Sequence, residues 1–279
     1  MTVELKGKVA AITGGARGIG KAIAEAFVAE GMSVAIGDLD LELAQATAKE
    51  LGDRAVAFEL DVTVPASMEA FVRSTEQAFG PLDVMVNNAG IMVVGDFLKE
   101  DDRATDLQID VNVRGVLLGA KAAGRVMADR GQGHIVNIAS AAGKVAIARL
   151  VTYAGTKHAV VGITDSLRAE LRPHGIQVSA IMPNVVNTRL GAGLGSSMIP
   201  SVEPEDVAAA VVRVVRGRRN EAMVPWILEP IRMLTAGLPS VARDFLTRAL
   251  GGHDVMANTD DAVRDAYQAE ALEGQQARR

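Results

Sequence analysis

The chain has 279 residues, a formal net charge of −5, a pI near 5.5 and no cysteine. That length suffices for one large core or two small ones, and the acidic balance argues against a nucleic-acid surface. Without cysteine there are no disulfides, thiolate metal sites or cysteine nucleophile. The amino end lacks the shape of a secretory leader, and no uncharged apolar run reaches the ~20 residues that span a bilayer, so the expectation is a cytoplasmic protein.

In chain order, residues 8–12 read as a short strand, followed by Thr13-Gly14-Gly15-Ala16-Arg17-Gly18-Ile19-Gly20 and a helical pattern with Ile23, Ala26 and Phe27 at core spacing. In such a strand, glycine turn and helix, the helix-terminal amides and a partial positive dipole receive a pyrophosphate. A second strand over 33–37 ends at Asp38, 18 residues past Gly20, close to where a dinucleotide fold puts its ribose-binding acid. A carboxylate there selects NAD and repels the 2′-phosphate of NADP. The competing readings make Asp38 the N-cap of a helix over 39–51, or pair Arg17 with a 2′-phosphate.

A third strand over 55–60 ends in Asp61-Val62, and a helix over 65–79 follows. The strand over 82–86 runs into Asn87-Asn88-Ala89-Gly90, which leaves small residues at a carboxyl edge where open α/β sheets bind ligands. Residues 101–127 read as two helical stretches with Asn112 inside the pattern, where an asparagine usually has a local hydrogen-bonding reason. The strand over 134–138 leads into Ala139-Ser140, thirteen residues before Tyr153. A helix over 153–173 opens with Tyr153-Ala154-Gly155-Thr156-Lys157, which puts the phenol and the ammonium on one face. A free phenol titrates near pH ~10, and a fixed cation beside it lowers that value toward a working acid/base. A sixth strand over 176–182, a turn over 183–188 and a seventh strand over 221–226 complete the alternation. Strands and helices in this order predict an α/β fold: a doubly wound parallel sheet of about seven strands with helices on both faces.

Together, Thr13-Gly14-x-x-x-Gly18-x-Gly20, Asp61, Asn87-Asn88-Ala89-Gly90, Asn112, Ser140, Tyr153-x-x-x-Lys157 and Pro183…Thr188 resemble the short-chain dehydrogenase/reductase family over roughly residues 5–226. The resemblance implies a Rossmann-like fold and an oxidoreductase acting on a secondary alcohol or ketone with a nicotinamide cofactor. It makes Tyr153 the general acid/base, with Lys157 lowering its pKa and holding the nicotinamide ribose. Ser140 is implied as a donor to the substrate oxygen, and Asn112 as the holder of a water linking Lys157 to solvent. For the cofactor it implies Gly14, Arg17, Gly18, Ile19, Gly20, Asp38, Leu39, Asp61, Val62, Asn88, Ala89, Gly90, Ile138, Tyr153, Lys157, Pro183, Val186 and Thr188. Asp61 and Val62 would flank the adenine and Thr188 would meet the carboxamide. The family's usual Pro-Gly after the sixth strand is Pro183-Asn184 here, and asparagine tolerates the left-handed region, so the turn is expected to survive. NAD is the expected cofactor. An NADP-dependent reductase of the same fold and a non-catalytic dinucleotide-binding sensor or scaffold are the alternatives. A homodimer or homotetramer is implied, built through the helices around 101–127 and 153–173.

Residues 1–228 are read as the dinucleotide-binding and catalytic domain, with a lid near 189–204, and 229–279 as a helical C-terminal extension of the same domain. Leu190 and Leu194 on the lid face Val145, Ile147 and Leu150, which together with Ser140 and Tyr153 suggests a lipophilic small-molecule substrate. Ile231, Leu234, Leu238, Val241, Phe245 and Ala249 form an apolar stripe, expected to pack on the body or on a second copy. A membrane-surface contact through Arg232, Arg243 and Arg248 is the less favoured reading. A final helix over 260–272 is expected to be polar and solvated. His134, His158, His174 and His253 show no ligand spacing, so no metal is expected.

Overall fold

A computed structural model describes residues 2–194, 201–230, 241–242 and 259–276. Seven strands form one parallel sheet in the order β3-β2-β1-β4-β5-β6-β7. They are β1 (Val9–Thr13), β2 (Ser33–Asp38), β3 (Ala55–Glu59), β4 (Val84–Asn87), β5 (Gly133–Ile138), β6 (Ile176–Pro183) and β7 (Glu221–Val224). All five residues of β1 are buried, because helices cover both faces and a near-continuous apolar run results. Alternation sorts the strand side chains into two cores. Ala10, Ile12, Val34 and Ile36 meet α1 (Gly18–Ala29) and α7 (Pro204–Gly217) on one face. Val9, Ala11, Ala35 and Met85 meet α3 (Pro65–Phe79) and α5 (Gly115–Arg130) on the other, through Phe71, Ala123 and Met127.

The strand order reverses at β1, whose neighbours are β2 and β4. The crevice at that reversal, outside the carboxyl ends, is where a parallel open sheet binds ligands. The expected elements lie within a few residues of the observed ones, with three instructive departures. The helix after Asp38 begins at Leu41 and its N-cap is Asp40, whose carboxylate accepts from Leu43 N, so Asp38 is not the cap. The two stretches over 101–127 are α4 (Asp102–Ile109) and α5, joined without a break by a π-helical turn at Asp110–Arg114. Asn184 makes its turn without a positive φ, so the left-handed tolerance invoked for it is not used; its N–H donates to Val224 O at 2.7 Å.

The C-terminal helix differs most. It is α8 (Asp261–Gln276), and it docks on the body instead of standing in solvent: Arg264 is 1% exposed. The apolar stripe over 231–249 and the arginines proposed to meet a membrane lie outside the described residues, apart from Val241, which is 79% exposed. Among the described residues no helix is long and apolar enough to cross a membrane, and no group of histidines and carboxylates could hold a metal ion. His134 is buried against Ser179 Oγ at 2.8 Å, and burial pushes its imidazole down to about 3. His158 Nδ1 caps the Ala154 carbonyl at 2.9 Å.

Candidate active site

The glycine turn is shaped by close approach. Gly14 has φ +62°, and a Cβ there would sit 2.9 Å from Ala89 Cα; a Cβ on Gly20 would sit 2.1 Å from Gly14 O. Asn88 ties this turn to the end of β4, its Nδ2 donating to Thr13 O and Gly14 O at 2.9 Å each. Thr13 Oγ1 returns the link by accepting from the N–H groups of Asn88 and Ala89 at 3.0 Å. Arg17 and Ile19 stand at the start of α1, and Thr188 meets Gly18 across the crevice, its Cγ2 lying 3.3 Å from where a Cβ on Gly18 would be.

Asp38 ends β2 beside this turn. Its Oδ2 accepts from Ala16 N at 3.1 Å and its Oδ1 from Asp40 N at 3.2 Å, which fixes the carboxylate at the crevice mouth next to Leu39. Arg17 pairs instead with Asp40 at 3.5 Å. Asp61 folds back on Thr63, accepting from its N–H at 2.8 Å and its hydroxyl at 2.7 Å, and the adjoining Val62 packs against Gly115. Val186 is buried in the turn after β6, bridged to Val202.

Ser140, Tyr153 and Lys157 come together below the carboxyl end of β5. Ser140 hydrogen-bonds the Tyr153 phenol, and its Oγ also lies 3.5 Å from Pro183 O. Lys157 Nζ stands 5.7 Å from the Tyr153 ring centroid and donates to Ile138 O at 3.0 Å. Asn112 is reached through the π-turn, a distortion often found at functional sites. Its Oδ1 accepts from Ile91 N at 2.9 Å, while its Nδ2 donates to Ile91 O at 2.9 Å and to Thr156 Oγ1 at 3.1 Å. Both Asn112 Oδ1 and Lys157 Nζ border Gly90, at 3.2 and 3.6 Å from a Cβ built there.

The electrostatics run against the simple expectation that lysine pulls the phenol down. Burial dominates and pushes Tyr153 up to about 12; the Ser140 bond draws it back, Tyr267 adds to the rise and the Arg264 charge opposes it. Burial also pushes Lys157 down to about 8. Both follow from the loss of water around the charged forms.

Tyr153 belongs to an apolar cluster with Met92, Val94, Ala142 and Leu150, and Ile147, Leu190 and Leu194 pack against it. Val145, expected among them, stands outside the cluster and is 40% exposed. Of the lid, Arg189–Gly191 forms a short helical turn, and 195–200 lie outside the described residues. Over this cluster lies α8, a helix the sequence predicts but as a solvated one. Arg264 donates to Met92 O at 2.6 Å, Leu190 O at 2.7 Å and Ala192 O at 3.3 Å, and lies 4.8 Å from the Tyr267 ring. Gln268 Oε1 accepts from Val94 N at 2.6 Å. At the rim, Arg149 holds Thr259 and Asp261, and Arg189 pairs with Glu270. Arg149 itself has φ +65°, a strained conformation for a residue with a Cβ, of the kind that gathers at functional sites.

The short chain dehydrogenase family profile matches residues 8–198. Zerumbone synthase of Zingiber zerumbet is 40% identical over 223 residues, which cover 78% of this chain and 82% of that protein. A 3-alpha-(or 20-beta)-hydroxysteroid dehydrogenase of Mycobacterium tuberculosis is 45% identical over 190 residues, covering 67% and 72%. A solved structure, a short chain dehydrogenase/reductase from Burkholderia phymatum in complex with NAD, superposes with a TM-score of 0.77 at 26% identity and covers 84% of this chain and 94% of that one.

Proposed function

The chain belongs to the short-chain dehydrogenase/reductase family, and from that premise we propose that it is an NAD-dependent oxidoreductase interconverting a lipophilic secondary alcohol and its ketone. The observation that carries the reading is the meeting of Ser140, Tyr153 and Lys157 beside an apolar cluster and the glycine turn. The turn fits a dinucleotide: side chains at Gly14 and Gly20 are excluded by backbone contact, and the Asp38 carboxylate is fixed alongside. The nicotinamide supplies or accepts the hydride. Asp38 would hold the adenosine ribose hydroxyls and disfavour a 2′-phosphate. Asp40 already engages Arg17, which weakens the case for NADP.

In this reading Ser140 donates to the substrate oxygen and stabilises charge developing there. Tyr153 exchanges the proton, and Lys157, held on Ile138 O, would bind the ribose of a nicotinamide cofactor. A phenol pushed up to about 12 is protonated at neutral pH, which suits ketone reduction. Asn112, fixed on Ile91 and Thr156, supports a water path from Lys157 to solvent. Residues 1–228 form the catalytic domain, the C-terminal extension closes it, and two or four copies associate through α4, α5 and α6 (Val151–Leu171). The test is NADH oxidation with a series of apolar ketones, repeated on Tyr153→Phe. That variant should lose at least ~10²-fold in kcat with NADH affinity unchanged. Full turnover without the phenol hydroxyl sinks the mechanism.

A further inference from the structure

Arg264 is a fully buried cation to which the reading above gives no task. The ion pairs of α8 are Arg149–Asp261 and Arg189–Glu270; Arg264 joins neither, and no carboxylate among the described residues lies within ion-pair distance of it. Its Nε has no hydrogen-bond partner. Three backbone carbonyls offset part of the cost of burying a guanidinium, yet carbonyl dipoles are not a counter-charge. Two of those carbonyls belong to Met92 and Leu190, which pack in the same apolar cluster as Tyr153. An anion arises in that cluster when Tyr153 gives up its proton.

We propose that Arg264 is a positioning residue for proton transfer, a cation on α8 that stabilises the Tyr153 phenolate. This rests on the assignment of Tyr153 as the acid/base. In reduction the hydride goes to the carbonyl carbon and the phenol proton to its oxygen, leaving phenolate until a solvent proton returns. The groups facing the phenol are Ser140 after β5, Lys157 on α6, and Tyr267 and Arg264 on α8; the 92–94 segment contributes only apolar side chains. The coupling of Arg264 and Tyr153 is mutual, each favouring the other's charged form. The sequence has two tyrosines, so Tyr153 can be watched directly.

With 13C-tyrosine labelling and NAD present, Tyr267→Phe assigns the Tyr153 resonance, which is then followed through alkaline pH. Arg264→Gln should raise the Tyr153 pKa by about one unit, reducing the ionised fraction at a given pH about tenfold. Arg264→Lys, which keeps the charge but not the three-carbonyl fit, should leave it near its original position. The alkaline limb of kcat for alcohol oxidation should move with the resonance. Arg264→Met carries the test if the glutamine variant does not fold. An unmoved Tyr153 titration in a folded, charge-less variant overturns the proposal, as does an equal shift in Arg264→Lys. If Tyr153 shifts as expected but Tyr153→Phe still turns over fully, it is the acid/base assignment that has failed.

Discussion

Replacing Gly20 by alanine puts the glycine turn under strain. The added methyl would lie 2.1 Å from Gly14 O, 2.7 Å from Asn88 Nδ2 and 2.8 Å from Gly15 Cα, where ordinary contact begins near 3.4 Å. None of these neighbours yields cheaply: two are backbone, and Asn88 is pinned to Thr13 O and Gly14 O. The turn must therefore retreat by about 1 Å, an overpacking that costs about 1–3 kcal/mol. A shift of that size in a binding cradle is worth up to about 10²-fold in its function. Gly162→Ala is the counterpart. It lies inside α6 with nothing within 4 Å of the new methyl, so it should stabilise the protein by about 0.5–1 kcal/mol. NADH fluorescence titration and thermal melting read both variants. Gly20→Ala should bind NADH at least about tenfold more weakly and melt several degrees lower. Wild-type affinity and melting temperature in Gly20→Ala would refute the claim that this backbone approach shapes the site.

Asp38→Ala should narrow or erase the preference for NADH over NADPH in the same titration, and an unchanged ratio counts against the ribose assignment. Thr164→Val removes the acceptor of Asn137 Nδ2, at 2.9 Å in a buried chain that continues to Asn87, and should cost about 1–3 kcal/mol by denaturant melting. His134 gives a pH dependence. Its folded pKa, about 3, lies below the ordinary imidazole value of 6.5, so the unfolded chain takes up a proton that the native state refuses. The stability it contributes is complete above pH 6.5 and falls as pH drops toward 3. By about pH 5 the loss should be about 2 kcal/mol. His134→Leu should flatten that slope, and an identical slope refutes the assignment.

Which residues border the crevice could largely be read from local chemistry. The glycine turn, Asp38, Asn88 and Ser140 each follow a strand that ends at one edge of the sheet, so short-range patterns located them. What escaped depends on contacts far along the chain. Arg264 sits in a sequence as polar as any solvated helix, and only Met92, Leu190 and Ala192, more than 70 residues away, make it buried. Asn112 carried a signal, an asparagine inside a helical pattern, but its partners are the backbone of Ile91 and the hydroxyl of Thr156, not a neighbour on its own helix. Val145 looked suited to the cluster by type, yet hydrophobicity alone does not say which way a loop residue points. The phenol likewise follows its burial, which no spacing rule reports.

The bond from Val94 to Gln268 joins residues 174 apart in the chain. During synthesis the sheet and the Tyr153–Lys157 pair can assemble while the last segment is still being made. The apolar cluster receives its cover only after residue 268 has emerged. A nascent chain, or one clipped before this helix, would thus leave Tyr153 without the cover that α8 gives it.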